Sequence, residues 1–339
     1  MSQAAFLLIC LAWGASFILM ERATHALGPT DVGIGRLLGG AAVLACVWML
    51  QRGAHRVGRG DLVRIAGLAL VSTSLPFVVQ PYCLSRGFGH SYFGVMIGLV
   101  PIATIIVSIP ILGVWPTARQ VVGVVGGFVC MVLLVQDGSA RGMPAGLLAL
   151  ALSVPVCYAL GNTYLKWKLS HVHSVPFTTV ALAMAAGWLI LLRLAPGAQD
   201  YFGLYEPAHR HDWAAAIASI LVLGTVGTGV AVLLFNWLVV KEGPLFAGMV
   251  TYVVPTVALV WGAVDGETIT SRQLVAMAGV LAMVALVQVS AKAVSAVAAD
   301  DEQREPHFCP SDNPAVDLGG GVERACKRKR AEGSSLKLR

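Results

Sequence analysis

The fold of this chain is predicted by one apolar segment that occurs twice, as Gly94-Val-Met-Ile-Gly-Leu-Val-Pro101 and, 154 residues later, as Gly248-Met-Val-Thr-Tyr-Val-Val-Pro255. Each copy belongs to a set of five apolar spans, and an odd number of spans places the second set in the bilayer upside down. Inverted repeats commonly build one site that opens alternately to the two sides of a membrane. The doubled segment therefore bears on function as well as on fold.

Composition indicates an integral membrane protein. Of the 339 residues, 57% are apolar and 12% are charged, whereas about 25% are charged in soluble domains. About 20 apolar residues in a helix cross the hydrocarbon core, and the strict alternation of a barrel is missing. We predict an all-α integral membrane protein with ten transmembrane helices, arranged as two inverted five-helix repeats. The predicted spans are 4–20, 32–50, 62–82, 91–112, 118–136, 144–165, 175–195, 213–240, 244–264 and 272–291.

The two repeats are expected at residues 1–137 and 138–291, followed by a basic tail, 292–339, whose polar composition predicts disorder. Lys and Arg are more numerous in the loops of one side, which places those loops and both termini in the cytoplasm. Arg22 weakly opposes this orientation. The run Lys327-Arg-Lys-Arg330 in the tail sets topology or attracts anionic lipid.

The spans hold no arrangement typical of an enzyme, since neither a Ser/His pair, a paired Asp nor a His-Glu-x-x-His motif occurs in them. His171-Val-His173 and His209-Arg-His211 lack Cys or carboxylate partners, so we interpret both as solvated loops rather than metal sites. We expect no cofactor, no metal and no nucleic acid. The expected partners are a small-molecule substrate and the lipid bilayer, and both a monomer and a homodimer remain open.

Several motifs occur in order through both halves: Trp13-Gly-Ala-Ser-Phe17, Arg36-Leu-Leu-Gly-Gly-Ala, Gln120-Val-Val-Gly123, Gly224-Thr-Val-Gly-Thr-Gly229 and Phe235-Asn-Trp-Leu238. Their order resembles the drug/metabolite transporter superfamily, specifically its EamA-like permeases. The resemblance implies a ten-helix permease of the inner (plasma) membrane that moves small organic metabolites such as amino acids, commonly outward. The alternative is a lipid-linked sugar flippase of the same superfamily, which would need a lateral opening and a more basic pocket. An intramembrane enzyme or a receptor ranks lower.

Polar side chains inside the spans are candidates for a cavity, because an unpartnered polar group is costly in an apolar medium. Some share a helix face at helical spacing, as Tyr158 does with Asn162, and Thr225, Thr228 and Asn236 are predicted to share another. Packing is the competing interpretation, since Ser and Thr also bond to their own or neighbouring helices. The predicted substrate-binding residues are Trp13, Ser16, Arg36, Ser74, Gln80, Tyr158, Asn162, Asn236 and Tyr252.

Charged groups are scarce in the spans. Arg36 lies about four residues inside the second span, where it either reaches the surface as a structural anchor or recognises a substrate carboxylate. No span core carries Asp or Glu, the common groups of proton relays and cation sites. Proton coupling through a buried carboxylate is therefore not expected.

Pro101 and Pro255 are predicted hinges. Each is placed in the middle of a span, where Pro removes a helical hydrogen bond and kinks the helix. Paired breaks in inverted halves suit a motion in which one half rocks against the other around a shared site. Simple kinks with no ligand nearby are the alternative interpretation.

Overall fold

The computed structural model describes residues 1–51, 55–86, 97–135, 144–204, 212–264, 270–272 and 274–287. Every regular element in these ranges is helical. Gly94 to Met96 of the doubled segment, the pair His209 and His211, and the tail 292–339 lie outside them. The principal helices are α1 (Ser2–Thr24), α2 (Pro29–Leu50), α3 (Arg59–Ser85), α4 (Val100–Leu112), α5 (Ala118–Val135), α6 (Ala145–Lys168), α7 (Ser174–Leu194), α8 (Trp213–Glu242), α9 (Pro244–Gly248 and Val250–Val264) and α10 (Leu274–Val287).

Six helices, α1, α2, α3, α6, α7 and α8, are long and apolar enough to cross a bilayer. They contain between 21 and 30 residues, and about 20 are needed. The apolar runs described in α4, α5, α9 and α10 are shorter. The prediction of a helical, multi-pass membrane protein is confirmed, whereas the count of ten crossings stays a prediction.

Local sequence explains where several helices begin and end. α2 begins at Pro29 and α9 at Pro244, positions that suit Pro because a first-turn N–H has no intrahelical partner. α4 ends at Gly113, whose φ of 68° is the left-handed conformation that glycine adopts without strain. The N–H of Gly113 donates to the Ile109 carbonyl at 3.0 Å and so closes the last turn.

α3 and α8 each contain a π-helical segment, Leu70–Ser74 and Leu223–Val230. The second segment covers the positions that lie 154 residues beyond the first, the same offset that separates the doubled segments. Sequence periodicity treats both helices as regular and misses these segments. The repeat therefore includes the π-helical segments of the backbone, which no single residue type predicts.

The π segment of α8 alters which side chains share a face. In a π-helix the hydrogen bonds join residues five apart instead of four. Side chains that would share a face at 3.6 residues per turn therefore point in different directions on either side of the segment. Thr225 donates to the Leu221 carbonyl of its own helix, whereas Thr228 is buried and accepts from Arg36. The predicted common face of Thr225, Thr228 and Asn236 therefore does not form as the spacing suggested.

The contacts between the halves are repeated. Where a helix of one half packs on a helix of the other, the counterparts of both helices, five places along the chain, pack together as well. α1 packs on α8 and α9, and its counterpart α6 packs on α3 and α4. α2 packs on α7 and α8, and its counterpart α7 packs on α2 and α3. The halves are thus interleaved rather than placed side by side.

Equivalent helices of the two halves meet antiparallel. Along the α2–α7 contact, Gly33 approaches Leu189 and Gly40 approaches Leu182. The α5–α10 contact behaves in the same way, since Gly123 meets Val287 while Cys130 meets Gly279. Two helices that correspond in the repeat therefore run in opposite directions.

Glycine permits the closest of these crossings. Gly39 and Gly224 bring α2 and α8 together so closely that a Cβ on Gly39 would lie 3.1 Å from the Cα of Gly224. Gly35, four residues earlier on α2, packs on Ile220. Lipid tails are as apolar as Leu, so close packing rather than water exclusion stabilises such contacts.

The two predicted hinge residues differ in their surroundings. Pro255 lies inside the helix Val250–Val264, as expected, and follows a break in α9 at Met249. Pro101 occupies the first turn of α4, where Pro removes no helical hydrogen bond, so its mid-helix placement was wrong. The break at Met249 adjoins the start of α4, because Gly248 lies against Val100 and Pro101.

Candidate functional site

A cavity of about 1140 Å³, including its open mouth, lies within the helical bundle. Its walls come from α1, α2, α3 and α4 of the first half and from α6, α7, α8 and α9 of the second. The exchange of packing partners between the halves explains this position, since α1 packs on α8 across the repeat, as α3 packs on α6.

Seven of the nine predicted site residues line this cavity: Trp13, Ser16, Arg36, Gln80, Tyr158, Asn162 and Asn236. They come from five helices and both halves. The other two predicted residues, Ser74 and Tyr252, are not among its lining residues.

Ser74 and Tyr252 join helices instead. The Ser74 hydroxyl lies 3.1 Å from the carbonyl of Ala69 in its own helix and 3.1 Å from that of Ala185 in α7. Tyr252 is fully buried, and its hydroxyl donates to the Val124 carbonyl of α5 at 2.7 Å. Both hydroxyls reach a backbone acceptor, which explains why a polar residue in a span need not face a cavity.

Aromatic side chains form part of the wall. The rings of Trp13 and Phe235 pack with centroids 5.0 Å apart, and Trp13 Nε1 donates to the Gly227 carbonyl at 2.9 Å. Ser16 donates to the Ala12 carbonyl of its own helix. Trp13 therefore offers a flat apolar surface rather than a free donor.

Three amide side chains line the cavity and differ in their hydrogen bonding. Gln80 Nε2 donates to the Tyr158 hydroxyl at 2.6 Å, a bond that links the two halves. Asn236 Nδ2 donates to the Thr178 hydroxyl at 3.0 Å. Asn162 is 8% exposed, and its Nδ2 is buried without a hydrogen-bond partner among the described residues. A buried donor without a hydrogen-bond partner is uncommon and lowers the stability of the fold.

Arg36 lies in the cavity wall and does not reach the membrane surface. Its side chain is 5% exposed, with Nε 3.4 Å from the Thr228 hydroxyl and Nη1 3.4 Å from the Met20 sulfur. Its Cζ lies 4.5 Å from the centroid of the Phe77 ring. The expected surface anchor is therefore wrong, because these partners hold the guanidinium inside the bundle.

Sequence reasoning missed the apolar part of the site, including Phe77, Phe177 and Phe235. Nothing in the sequence separates an aromatic residue that faces a cavity from one that faces lipid, since both faces are apolar. The only available signal is spacing, as Phe77 precedes Gln80 by three residues on α3.

Polar contacts tie the helix ends together on both sides of the cavity. Arg193 at the end of α7 pairs with Asp31 in the first turn of α2 at 3.2 Å. At the opposite ends, His171 lies 3.0 Å from Asp61, and His173 stacks on His55 with centroids 4.2 Å apart. Burial lowers the pKa of His173, and the neighbouring His55 lowers it further. Both predicted loop histidines thus contact the first half.

Comparison with known proteins supports the architecture. A solved crystal structure of a protein superimposes with a TM-score of 0.66 over 86% of this chain and 98% of that chain, at 17% identity. That likeness concerns the fold alone. None of the curated proteins compared with the chain matches its sequence. The EamA-like transporter family matches residues 2–136 and again residues 145–289. The chain therefore belongs to the EamA-like transporter family.

Proposed function

We propose that this protein is a permease that exports small organic metabolites, such as amino acids or related compounds, by alternating access. The observation that carries the proposal is one cavity whose polar groups come from both halves, with the Gln80–Tyr158 hydrogen bond joining them. Apolar walls with a few polar groups suit a small amphipathic solute. A lipid-linked sugar flippase finds less support, since Arg36 is the only basic side chain among the described lining residues.

Alternating access requires two halves that exchange roles. We assign the inverted repeats to residues 1–137 and 138–291, an arrangement favoured by the antiparallel contacts of α2 with α7 and of α5 with α10. Rocking would centre on the start of α4 at Pro101 and on the break of α9 before Pro255, because these two places lie against each other. The distribution of Lys and Arg supports a protein of the inner membrane with both termini and the tail, 292–339, in the cytoplasm.

The test combines transport with site protection. Purified protein in proteoliposomes is assayed against a panel of labelled amino acids, organic acids and drugs. The variants Asn162→Cys and Asn236→Cys are then treated with a thiol reagent with and without each transported solute. Labelling at the introduced residue is measured by peptide mass spectrometry, which separates it from the native cysteines.

We expect a transported solute to slow labelling at both cavity positions. Ser85→Cys is the matched control, since Ser85 is exposed at the end of α3 and its labelling should not change. If no solute in the panel moves and none protects either cavity position, the proposal fails.

A further inference from the structure

Arg36 is the only charged side chain among the cavity-lining residues that the structure describes. A guanidinium remains charged in proteins, and an unpaired buried charge is strongly unfavourable. Its partners are a hydroxyl, a thioether and an aromatic face, none of which carries a negative charge. The cavity therefore has a net positive charge that nothing in its described wall neutralises.

Hydrogen-bond donors are in excess at the same place. Within the described part of the chain, Arg36 Nη2 makes no hydrogen bond, and Asn162 Nδ2 is buried with none. The Tyr158 hydroxyl accepts from Gln80, so its own hydrogen is available to donate. Tyr158 and Asn162 stand one turn apart on α6, and both line the same cavity as Arg36. Three donors thus lack an acceptor.

We propose that this cavity binds the carboxylate of an amphipathic organic acid, with Arg36 as its counterion and with Tyr158 and Asn162 as further donors. The substrate class is organic acids with one carboxylate and no cationic group, whose apolar part lies against Phe77, Trp13 and Phe235. Guanidinium and carboxylate have matching bidentate geometry. One guanidinium balances one negative charge, which favours a monocarboxylate over a phosphate. This inference rests on the proposed function, because it names the solute of the same cavity.

The decisive comparison uses two probes that differ only in the acidic group, 3-phenylpropionate and 3-phenylpropionamide. Each is tested for protection against thermal unfolding of the unchanged protein in detergent and for transport in proteoliposomes. We expect the acid to bind about 10- to 100-fold more tightly than the amide, the range of a hydrogen-bonded charge pair. The amide has the same ring and nearly the same volume, so packing does not distinguish the two.

Variants then assign the preference to one residue. Arg36→Gln should abolish the difference between acid and amide, and Arg36→Lys should retain part of it because the charge remains. Arg193→Gln is the matched control, since Arg193 pairs with Asp31 at the helix ends, does not line the cavity and should leave the preference intact. If Arg36→Gln does not fold, the comparison of the two probes in the unchanged protein still decides the outcome.

The outcomes separate this inference from the proposed function. If the acid and the amide bind or move equally well, the carboxylate site is overturned while transport stands. If the acid stabilises the protein selectively but no solute moves, the site stands and the permease fails. If neither probe stabilises the protein nor moves while other solutes do, the proposed substrate class is wrong. If nothing binds or moves, both proposals are overturned.

Discussion

Gly40 shows how little space separates the helices around the cavity. A Cβ at this position would lie 2.9 Å from the backbone nitrogen of Gly229 and 3.0 Å from Leu182 Cδ1. The first neighbour is backbone, so the helices themselves must move to admit a methyl group. Arg36 stands one turn before Gly40 on α2, and this crossing therefore positions the guanidinium as well.

We expect Gly40→Ala to lower the free energy of unfolding by about 1–3 kcal/mol, the usual effect of overpacking a tight contact. Thermal unfolding of the purified protein in detergent measures it. The matched control is Gly187→Ala in α7, where a Cβ would meet nothing within 4 Å. That change should be neutral or stabilising, because Ala favours the helix by about 0.5–1 kcal/mol over Gly. Equal loss of stability in both variants would contradict the packing argument.

Seven of the nine predicted site residues line the cavity, because buried polar groups need partners and a shared cavity supplies them. Ser74 and Tyr252 satisfy the same chemical criterion but reach backbone carbonyls of neighbouring helices. The difference depends on how far each hydroxyl lies from a carbonyl on another helix. That distance is set by tertiary packing, which a single sequence does not encode locally.

Pro255 is the predicted hinge residue whose surroundings match the prediction. It lies inside a helix and leaves the Thr251 carbonyl, four residues earlier, without its usual donor. The neighbouring break at Met249 interrupts α9 six residues before Pro255. Bending at this point is therefore easier than elsewhere in α9.

We expect Pro255→Ala to slow transport at saturating solute by about tenfold, because about 1.4 kcal/mol added to a barrier has that effect. Solute affinity should change less, since Pro255 does not line the cavity. Initial rates and concentration dependence in proteoliposomes give both quantities. The control is Pro110→Ala, which replaces an exposed Pro inside α4 that adjoins no break. Equal slowing in both variants would mean that any helical Pro matters and that Pro255 is no hinge.

Helix positions followed from apolar length, because the bilayer demands about 20 apolar residues from each crossing. The π segments of α3 and α8 could not be predicted in this way. They insert a wider turn into spans whose average hydropathy stays that of a membrane helix, so hydropathy does not detect them. Their recurrence at the repeat offset indicates that both copies of the backbone depart from the α-helix at the same place.

In the proposed transport cycle, the assembled protein carries the charge of Arg36 through every change of conformation. With an organic acid bound, the carboxylate neutralises the guanidinium while the cavity is closed on both sides. Without one, the closed state contains an uncompensated charge, at an effective penalty of several kcal/mol per ion. The loaded protein should therefore change conformation more readily than the empty one.

We accordingly expect the exchange of external for internal solute to be at least about tenfold faster than net uptake into empty vesicles. Each 1.36 kcal/mol of barrier contributes that factor. The measurement compares uptake of labelled 3-phenylpropionate into proteoliposomes that are empty or preloaded with the unlabelled acid. In Arg36→Gln the advantage of preloading should shrink, because no charge remains to be neutralised. Equal uptake into empty and preloaded vesicles by the unchanged protein would refute this expectation.

The hydrogen bond between Arg36 and Thr228 joins residues 192 positions apart, which has a consequence for biosynthesis. Ribosomes add about 5–20 residues per second, so Arg36 waits on the order of ten seconds or more for this partner. During that time α2 must enter the bilayer with a residue that disfavours insertion by about 2.5–3.5 kcal/mol at a helix centre. The apolar remainder of α2 offsets this penalty. Translation of the second half therefore completes the folding of the first as well as the wall of the cavity.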